Sequence, residues 1–381
     1  MAGSWLLGAG ADLPGERPNA VLVAVNQEDG AGDSGPGSEV SLAELRRLAD
    51  TDGLTVVDAV VQNRPRPDPA TYVGSGKVEE LAAVTERTQA DLVIADGELS
   101  PGQVRNLEER VGVRVVDRTA LILDIFAEHA RTSEGRVQVE LAQIAYQLPR
   151  LRDGGRTMSR VGGGRVAGGA GIGVRGPGEM RLETQRRTLR QRATRLRRNA
   201  SELARRRERT RSRRARNRVP SVSITGYTNA GKSALLNRLT GADAQVRDVL
   251  FATLDPTVRR ISTGELTYTV IDTVGFVRHL PHQLVDAFRS TLEEVSRSDL
   301  TMHVVDASAP DALEQITTVH GVLQEIGAGQ VPELLVLNKI DIAPPEWVDA
   351  LRRVYPEAVA VSALTGAGID ELRAVLAARL A

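Results

Sequence analysis

The segment Gly226-Tyr-Thr-Asn-Ala-Gly-Lys-Ser233 has the form GxxxxGK[ST]. It follows the apolar run 222–224, typical of a strand, and precedes the periodic stretch 234–239, typical of a helix. Glycines let backbone N–H groups curl around phosphates, and the helix N-terminus adds the positive end of its dipole. We therefore predict a phosphate-binding loop, in which Lys232 reaches the β- and γ-phosphates and Ser233 ligates Mg²⁺. The alternative is a plain Gly-rich turn that caps a helix.

Lysine usage supports the nucleotide interpretation. Of 49 basic residues, only Lys77, Lys232 and Lys339 are lysines. Because a lysine ammonium and a planar guanidinium are not interchangeable, a retained lysine indicates a position that arginine would not fit. Two of these three lysines fall in nucleotide motifs, which makes chance the weaker explanation.

Two downstream segments predict recognition of guanine. Asn338-Lys-Ile-Asp341 follows a strand-like run and has the form NKxD. Asp341 can accept hydrogen bonds from the guanine N1–H and exocyclic amine, whereas adenine lacks this donor pair and would leave a buried carboxylate unpaired. Ser362-Ala-Leu364 follows the apolar run 358–361, and we expect a backbone N–H there to meet the guanine carbonyl oxygen.

Two upstream segments predict the Mg²⁺ and γ-phosphate contacts. Asp272-Thr-Val-Gly275 ends a strand-like run, so Asp272 is expected to hold Mg²⁺ through water and the Gly275 N–H to sense the γ-phosphate. Phe251-Ala-Thr-Leu-Asp-Pro256 supplies Thr253 as a second hydroxyl on Mg²⁺, in a loop that the γ-phosphate can order. The catalytic residues predicted from these motifs are Lys232, Thr253 and Gly275, and the metal ligands are Ser233, Thr253 and Asp272. The predicted nucleotide-binding residues are Gly226, Tyr227, Thr228, Asn229, Ala230, Gly231, Lys232, Ser233, Phe251, Ala252, Thr253, Leu254, Asp255, Asp272, Thr273, Val274, Gly275, Asn338, Lys339, Ile340, Asp341, Ser362, Ala363 and Leu364.

One position departs from the Ras-like layout. Phe276 follows Gly275 where Ras-like enzymes carry a water-orienting Gln, and an apolar side chain cannot position the attacking water. We therefore expect slow intrinsic hydrolysis that a partner or another loop accelerates. His279 and His282 are interpreted as surface residues of a mobile switch, with a role as replacements for the Gln as the alternative.

Composition limits the class of protein. The 381 residues allow two or three domains, and the formal net charge is zero. The chain has no Cys, its five His show no metal-ligand spacing, and no apolar run approaches 18 residues. We expect a monomeric cytoplasmic protein without stable membrane insertion, and peripheral membrane association is left open. Residues 1–18 and 27–38 are rich in Gly, Pro and Asp and are expected to be a disordered leader and a loose loop.

The first part of the chain alternates between two patterns. Strand-like runs occur at 21–25, 54–61, 91–94 and 113–116, and helical patterns lie between them and continue through Phe126. This alternation predicts a small parallel sheet with helices packed on it. Tyr72-Val-Gly-Ser-Gly-Lys77 resembles a truncated phosphate loop, and we interpret it as a conformational or RNA-contacting turn.

Two apolar stripes predict a helical hairpin. The first stripe is Val137, Leu141, Ile144, Leu148 and Leu151, and in the second Leu182, Leu189, Leu196 and Leu203 recur every seven residues. Each stripe needs a partner, and an antiparallel pair with a Gly-rich tip over 153–178 provides one. Residues 175–218 hold 18 Arg against four Glu, a local net charge of +14. This surface is either a soluble helix face beside a linker or a cationic stalk that contacts RNA phosphates.

The sequence therefore predicts an α/β protein with a leader over 1–19 and three domains. They are an N-terminal parallel-sheet α/β domain over 20–131, an Arg-rich antiparallel coiled-coil hairpin over 132–218, and a C-terminal Ras-like P-loop GTPase domain over 219–381.

The segment Gly171-Ile-Gly-Val-Arg-Gly-Pro-Gly-Glu-Met-Arg-Leu-Glu183, the loop 226–233 and the run 250–257 together resemble the HflX family of ribosome-associated GTPases, in the Obg-HflX group of translation-factor-related GTPases. The resemblance implies a GTPase that binds the large ribosomal subunit and its rRNA. It also implies an N-terminal domain that reaches toward the peptidyl transferase centre, and a role in separating stalled ribosomes under stress. Two features depart from the family pattern. Residues 165–170 interrupt the usual Gly-rich run, and Met180 stands where Thr is typical.

Two function classes follow from the sequence. One is a ribosome-binding GTPase that remodels its RNA–protein target. The other is a regulatory GTPase that docks protein partners only and uses the hairpin as a stalk.

Overall fold

The computed structural model describes residues 17–26, 37–158, 177–216, 219–241, 250–251, 257–263, 266–278 and 281–380. Two compact units are present, one of residues 1–128 with 137–201 and one of residues 129–136 with 202–381. Several predictions fall outside the described residues: residues 1–16 of the leader predicted over 1–18, residues 27–36 of the loop predicted over 27–38, most of the hairpin tip (159–176), the run 252–256 and His279. Residues 37 and 38, predicted to belong to that loop, begin helix α1 instead. No helix among the described residues is long and apolar enough to cross a membrane.

The first unit contains a parallel sheet with helices between its strands. Its elements are β1 (Asn19–Asn26), α1 (Gly37–Thr51), β2 (Thr55–Asn63), α2 (Ser75–Thr88), β3 (Leu92–Ala95), α3 (Pro101–Val111), β4 (Arg114–Asp117) and α4 (Arg118–His129). The strand order is β2-β1-β3-β4, and every neighbouring pair runs parallel. Residues 20–24 and 92–95 are buried on both faces, as parallel strands covered by helices require. The predicted alternation and the parallel sheet are confirmed.

Buried ionisable side chains occur in this unit. Arg118, at the start of α4, is 2% exposed, and its guanidinium donates to Asp96 at 2.6 Å and pairs with Glu44. Ionic groups removed from water need such partners. Asp52, just after α1, has two buried carboxylate oxygens that accept no hydrogen bond among the described residues. Burial first, and then the negative charges of Asp124 and Glu128, raise the pKa of Asp52 to about 9.

Helices α5 (Ser133–Met158) and α6 (Pro177–Arg216) follow the first sheet. In the first unit, Ile144 of α5 forms one apolar cluster with Ala193 and Leu196 of α6. Residues of both predicted stripes pack against this cluster: Val137, Leu141, Leu148 and Leu189. The ion pair between Glu140 and Arg192 joins the same two helices. The two stripes therefore contact each other, as the sequence predicts.

The second unit contains a six-stranded sheet. Its elements are β5 (Ser221–Gly226), α7 (Lys232–Thr240), β6 (Thr257–Thr263), β7 (Leu266–Asp272), α8 (His282–Ser296), β8 (Leu300–Asp306), α9 (Ala312–Glu325), β9 (Glu333–Asn338), α10 (Pro345–Val354), β10 (Val359–Ala360) and α11 (Ile369–Leu380). The order is β10-β9-β8-β5-β7-β6, with β6 antiparallel to β7 and all other neighbours parallel.

The parallel strands of this sheet place their carboxyl ends at one edge. β5, β7, β8 and β9 end at Gly226, Asp272, Asp306 and Asn338 respectively. Ligands of open α/β sheets bind outside the carboxyl ends of the strands. The core beneath this edge is apolar, with Val222, Val304 and Val336 fully buried. The sheet thus brings motifs more than 100 residues apart in sequence to one edge.

Candidate guanine-nucleotide site

The phosphate loop runs from the end of β5 to the start of α7. Gly226, Asn229 and Gly231 have positive φ angles of 142°, 61° and 89°. A Cβ atom at Gly226 would lie 2.1 Å from the Val304 carbonyl oxygen, so this position accepts only glycine. The left-handed residues bend the loop around the N-terminus of α7, which is the geometry of an anion-binding loop. The hydroxyl of Thr228 in this loop is buried and makes no hydrogen bond among the described residues.

Lys232, at the start of α7, lies across the loop. Its ammonium donates to the carbonyl oxygens of Gly226 at 3.1 Å and Tyr227 at 2.7 Å, and the side chain is buried. Burial lowers the pKa of Lys232 to about 8, against the opposing effect of Asp272. A buried cation held by two carbonyl groups is poised for an anionic ligand, because phosphate oxygens supply the charge that the carbonyl groups lack.

Ser233 and Asp272 meet beside this lysine. The Ser233 hydroxyl donates to Asp272 Oδ2 at 2.9 Å, and Asp272 is 2% exposed. Thr273 follows Asp272, and its hydroxyl donates to the Ile224 carbonyl oxygen at 2.6 Å, which fixes the turn that leaves β7. A hydroxyl and a carboxylate at this separation are oxygen donors of the kind that Mg²⁺ binds.

The segment after β7 lies against the phosphate loop. The Thr228 N–H donates to the Phe276 carbonyl oxygen at 2.7 Å, and the Phe276 N–H donates to Gly226 at 3.2 Å. A Cβ atom at Gly275 would lie 2.8 Å from Thr228 Cγ2 and 3.0 Å from Lys232 Nζ. The Phe276 side chain is 1% exposed. Its ring therefore belongs to the core, and it offers no group that could orient water.

Asn338 joins the two guanine motifs to the phosphate loop. This side chain is 2% exposed, donates from Nδ2 to the Ala230 carbonyl oxygen at 2.8 Å, and accepts from the Ala363 N–H at 3.0 Å. Lys339 has a positive φ of 64°, and its ammonium donates to Asp306 at 2.6 Å. The exposed Asp341 stands in the turn that follows. The NKxD segment is thus held at both its first and second residues.

The loop over 362–364 is held from two sides. Ser362 is fully buried, and its hydroxyl accepts the Thr365 N–H at 3.0 Å. Arg238 of α7 donates to the Ala363 carbonyl oxygen at 3.2 Å and to that of Leu364 at 2.5 Å. These contacts lock the loop against α7, with Leu364 itself exposed.

The structure brings most of the predicted site residues together at this edge. The contacts above join four predicted segments: the phosphate loop and residues 272–275, 338–341 and 362–364. Phe251 is buried with a φ of 57°, while Ala252, Thr253, Leu254 and Asp255 lie outside the described residues.

Sequence reasoning missed Asp306 and Arg238 as supports of the site. Asp306 carried a usable signal, since it is the polar residue that ends an apolar strand at the carboxyl edge of a parallel sheet. Arg238 carried none, because an arginine in the last turn of a helix is usually solvated.

A phosphate loop at the switch between β5 and α7, with NKxD at the end of a parallel strand, defines the class of protein as a P-loop GTPase. Residues 221–339 match the family described as 50S ribosome-binding GTPase. Residues 39–127 and 129–214 match the families described as GTP-binding GTPase N-terminal and GTP-binding GTPase Middle Region.

Curated relatives identify the family. The chain is 46% identical over 371 residues to GTPase HflX of Caldanaerobacter subterraneus subsp. tengcongensis, covering 97% of this chain and 82% of that protein. It is 46% identical over 342 residues to GTPase HflX of Escherichia coli, covering 89% and 79% of the two chains. The chain belongs to the HflX family of GTPases, and it binds and hydrolyses GTP.

Among solved structures, the complex of SsGBP with GDP aligns with a TM-score of 0.51 and 24% identity, covering 94% of this chain and 97% of the other. At this identity the likeness shows the fold alone.

Proposed function

We propose that this GTPase is Mg²⁺-dependent, acts as a monomer in the cytoplasm, and binds the large ribosomal subunit to separate stalled ribosomes under stress. The observation that carries the proposal is the match of residues 221–339 to the family described as 50S ribosome-binding GTPase. The Arg-rich helix α6 on the same chain supports it, since ribosomal RNA offers phosphates that arginines neutralise.

The site suits a magnesium–nucleotide complex. Ser233 and Asp272 would hold Mg²⁺, with Thr253 as a third proposed ligand outside the described residues. The fit rests on the 2.9 Å separation of the Ser233 hydroxyl and the Asp272 carboxylate, both hard oxygen donors. When bound, Mg²⁺ offsets the negative charge of the β- and γ-phosphates.

The protein's own residues position the nucleotide. Lys232 would exchange its two carbonyl partners for phosphate oxygens, and the Gly275 N–H would meet the γ-phosphate. Asp341 would accept the guanine N1–H and amine, with backbone N–H groups of 362–364 at the guanine carbonyl oxygen. The buried Phe276 ring leaves no side chain at its own position to orient the attacking water, so intrinsic turnover should be slow. The ribosomal subunit would then complete the site.

Hydrolysis tests this part of the proposal. Lys232→Ala should abolish tight binding of GTP, and Ser233→Ala should weaken turnover mainly by raising the Mg²⁺ concentration it requires. Both are measured by phosphate release with and without purified large subunits. Rapid turnover by the isolated protein, unchanged when large subunits are added, would contradict the proposed need for a partner.

Sedimentation with ribosomal subunits tests the partner. We expect the protein to pellet with large subunits in a non-hydrolysable GTP analogue and much less in GDP. Phosphate contacts release counterions, so affinity should fall linearly on a log–log salt plot with a slope of about 0.7–0.9 per contact. Replacement of Arg205, Arg206 and Arg207 by Gln should lower that slope. The matched control is Arg352→Gln with Arg353→Gln, two exposed arginines of α10, which should leave it unchanged.

The same sedimentation experiment distinguishes this proposal from the alternative function, a regulatory GTPase. A regulatory GTPase that docks proteins only would bind regardless of ribonuclease treatment and with little salt dependence. Deletion within 162–173 should weaken subunit separation more than nucleotide binding, because that segment is far in sequence from the GTP motifs. If the arginine variant and the deletion both keep wild-type affinity and salt slope, the hairpin is a scaffold and the RNA contact lies elsewhere on the chain.

A further inference from the structure

Three side chains on three elements of the second unit converge beside the central strands of the sheet. They are His303 of β8, His320 of α9 and Glu333 at the start of β9. His303 Nδ1 lies 2.7 Å from Glu333 Oε1, and His320 Nε2 lies 3.0 Å from both oxygens of the same carboxylate. All three ligand atoms lie within 4.8 Å of one another. The sequence gives no hint of this, because the residues are 17 and 13 positions apart and only the fold joins them.

We propose that His303, His320 and Glu333 form a binding site for a divalent transition-metal ion, with Zn²⁺ as the ion that the donor set fits best. Two imidazoles and one carboxylate are the protein ligands of open zinc sites, where water takes the fourth position. The chain has no cysteine, so no thiolate competes for the ion.

The distances suit this ion after a small adjustment. Tetrahedral bonds of about 2.0–2.2 Å place neighbouring ligand atoms roughly 3.4 Å apart. The Glu333 carboxylate therefore needs to withdraw by roughly 0.7 Å from His303 Nδ1, now at 2.7 Å, and by roughly 0.4 Å from His320 Nε2, now at 3.0 Å. The side chains of His320 and Glu333 are 36% and 32% exposed, so they can make that movement and leave an entry path from solvent.

The third proposed ligand, His303, is held in place by burial. The His303 side chain is 1% exposed and cannot reorient freely. Burial, the largest cause, lowers the pKa of His303, against the opposing effect of Glu333. The rings of His303 and His320 meet edge to face with centroids 5.4 Å apart. The bound ion would thus tie α9 to β8 and β9.

The trio shares no residue with the nucleotide site. On β8, His303 is followed by Val304, whose backbone lies against Gly226 of the phosphate loop. At the other end of α9, Asp311 and Glu314 hold Arg278, which follows β7, at 2.7 and 2.6 Å. Through His320, an ion at the trio would fix α9, whose N-terminal end holds Arg278 in the segment after β7.

Titration of the full-length protein with Zn²⁺, after removal of metal by a chelator, tests the proposal. We expect one equivalent to bind, Co²⁺ to give the visible absorption of a four-coordinate ion, and the melting temperature to rise with Zn²⁺ concentration. His320→Gln and Glu333→Gln should each weaken Zn²⁺ binding by at least about 100-fold. This is the upper end of the loss of affinity seen when a residue that only hydrogen-bonds to a metal ligand is removed. Circular dichroism and GTP affinity, measured with Mg²⁺ but without Zn²⁺, should stay at wild-type values in His320→Gln, which shows that the variant is folded.

His282→Gln and His279→Gln are the matched controls, since each removes an imidazole outside the trio. They should keep the wild-type Zn²⁺ stoichiometry and affinity. Absence of stoichiometric binding by the wild type would overturn the proposal. So would equal binding by the wild type and His320→Gln, or binding that is lost in the His279 or His282 variant instead. In those cases the trio is a hydrogen-bonded link between α9 and β9.

Discussion

Asn338 carries the connection between the phosphate loop and the guanine-reading loops, and its removal can be predicted quantitatively. In Asn338→Ala, the Ala230 carbonyl oxygen and the Ala363 N–H each lose the partner now at 2.8 and 3.0 Å. An orphaned buried polar group costs about 1–3 kcal/mol. Because the loops around Asn338 border solvent, we take the lower half of that range for each group. The free energy of unfolding of the second unit should fall by about 2–4 kcal/mol.

Urea unfolding followed by tryptophan fluorescence measures this loss. Trp347 in α10 reports on the second unit, and Trp5→Phe removes the other tryptophan of the chain. If the whole loss of about 2–4 kcal/mol is felt at the site, GDP affinity should weaken by about 30- to 700-fold, because every 1.4 kcal/mol is a factor of ten. Asn106→Ala in the first unit is the matched control. It removes one exposed bond to the Ala70 carbonyl oxygen of the same 2.8 Å length and should leave GDP affinity unchanged.

Asn338→Asp sharpens the test. An aspartate keeps the acceptor for the Ala363 N–H but places a second oxygen against the Ala230 carbonyl oxygen, with its charge buried. It should therefore be at least as damaging as alanine, although it is closer in shape to asparagine. If Asn338→Ala loses less than about 0.5 kcal/mol and binds GDP like the wild type, these two bonds do not organise the site.

Three further outcomes are expected. Asp341→Asn should weaken the binding of GTP by about 2–5 kcal/mol and favour the binding of xanthosine triphosphate. Unchanged GTP affinity in equilibrium titration would reject the contact between Asp341 and the base. In Gly275→Ala, the added Cβ would lie 2.8 Å from Thr228 Cγ2. This variant should bind a non-hydrolysable GTP analogue less tightly, with a smaller loss of GDP affinity. Equal losses of affinity for the two nucleotides would refute the contact between Gly275 and the γ-phosphate. With a folded-state pKa of about 9, Asp52 keeps a proton that the unfolded chain loses above about pH 4, so its contribution to stability falls as pH rises between these values. Asp52→Asn should reduce that fall by up to about 1.4 kcal/mol per pH unit in urea unfolding, whereas Asp50→Asn, an exposed neighbour, should not.

The sequence predicts the chemistry of the nucleotide edge because that chemistry resides in short local motifs. A GxxxxGK loop between an apolar run and a helical pattern leaves few other folds, and NKxD after another apolar run adds a second parallel strand. The two heptad stripes likewise specify their own contact, and Ile144 and Leu196 do pack in one cluster.

Features that depend on packing could not be predicted in this way. Arg118 looks like an ordinary helix-start residue, and it is buried only because Glu44 and Asp96 arrive from distant elements. The contact between His303 and Glu333 depends on the register of β8 on β9. The spacing of residues along the sequence does not predict that register. Strand β6 carries Arg259 and Arg260 on an exposed sheet edge, and charged residues mask the alternation that would reveal such a strand.

The paired backbone bonds between the phosphate loop and the segment after β7 have a spectroscopic consequence. The amide hydrogens of Thr228 and Phe276 each point to an oxygen of the opposite segment. Such hydrogens exchange with deuterium only when the local pairing opens. In the nucleotide-free protein, the exchange rates of these two amide hydrogens therefore report how often the segment after β7 separates from the phosphate loop. Deuterium uptake at these two positions, read by mass spectrometry or nuclear magnetic resonance, would follow that opening without any added label.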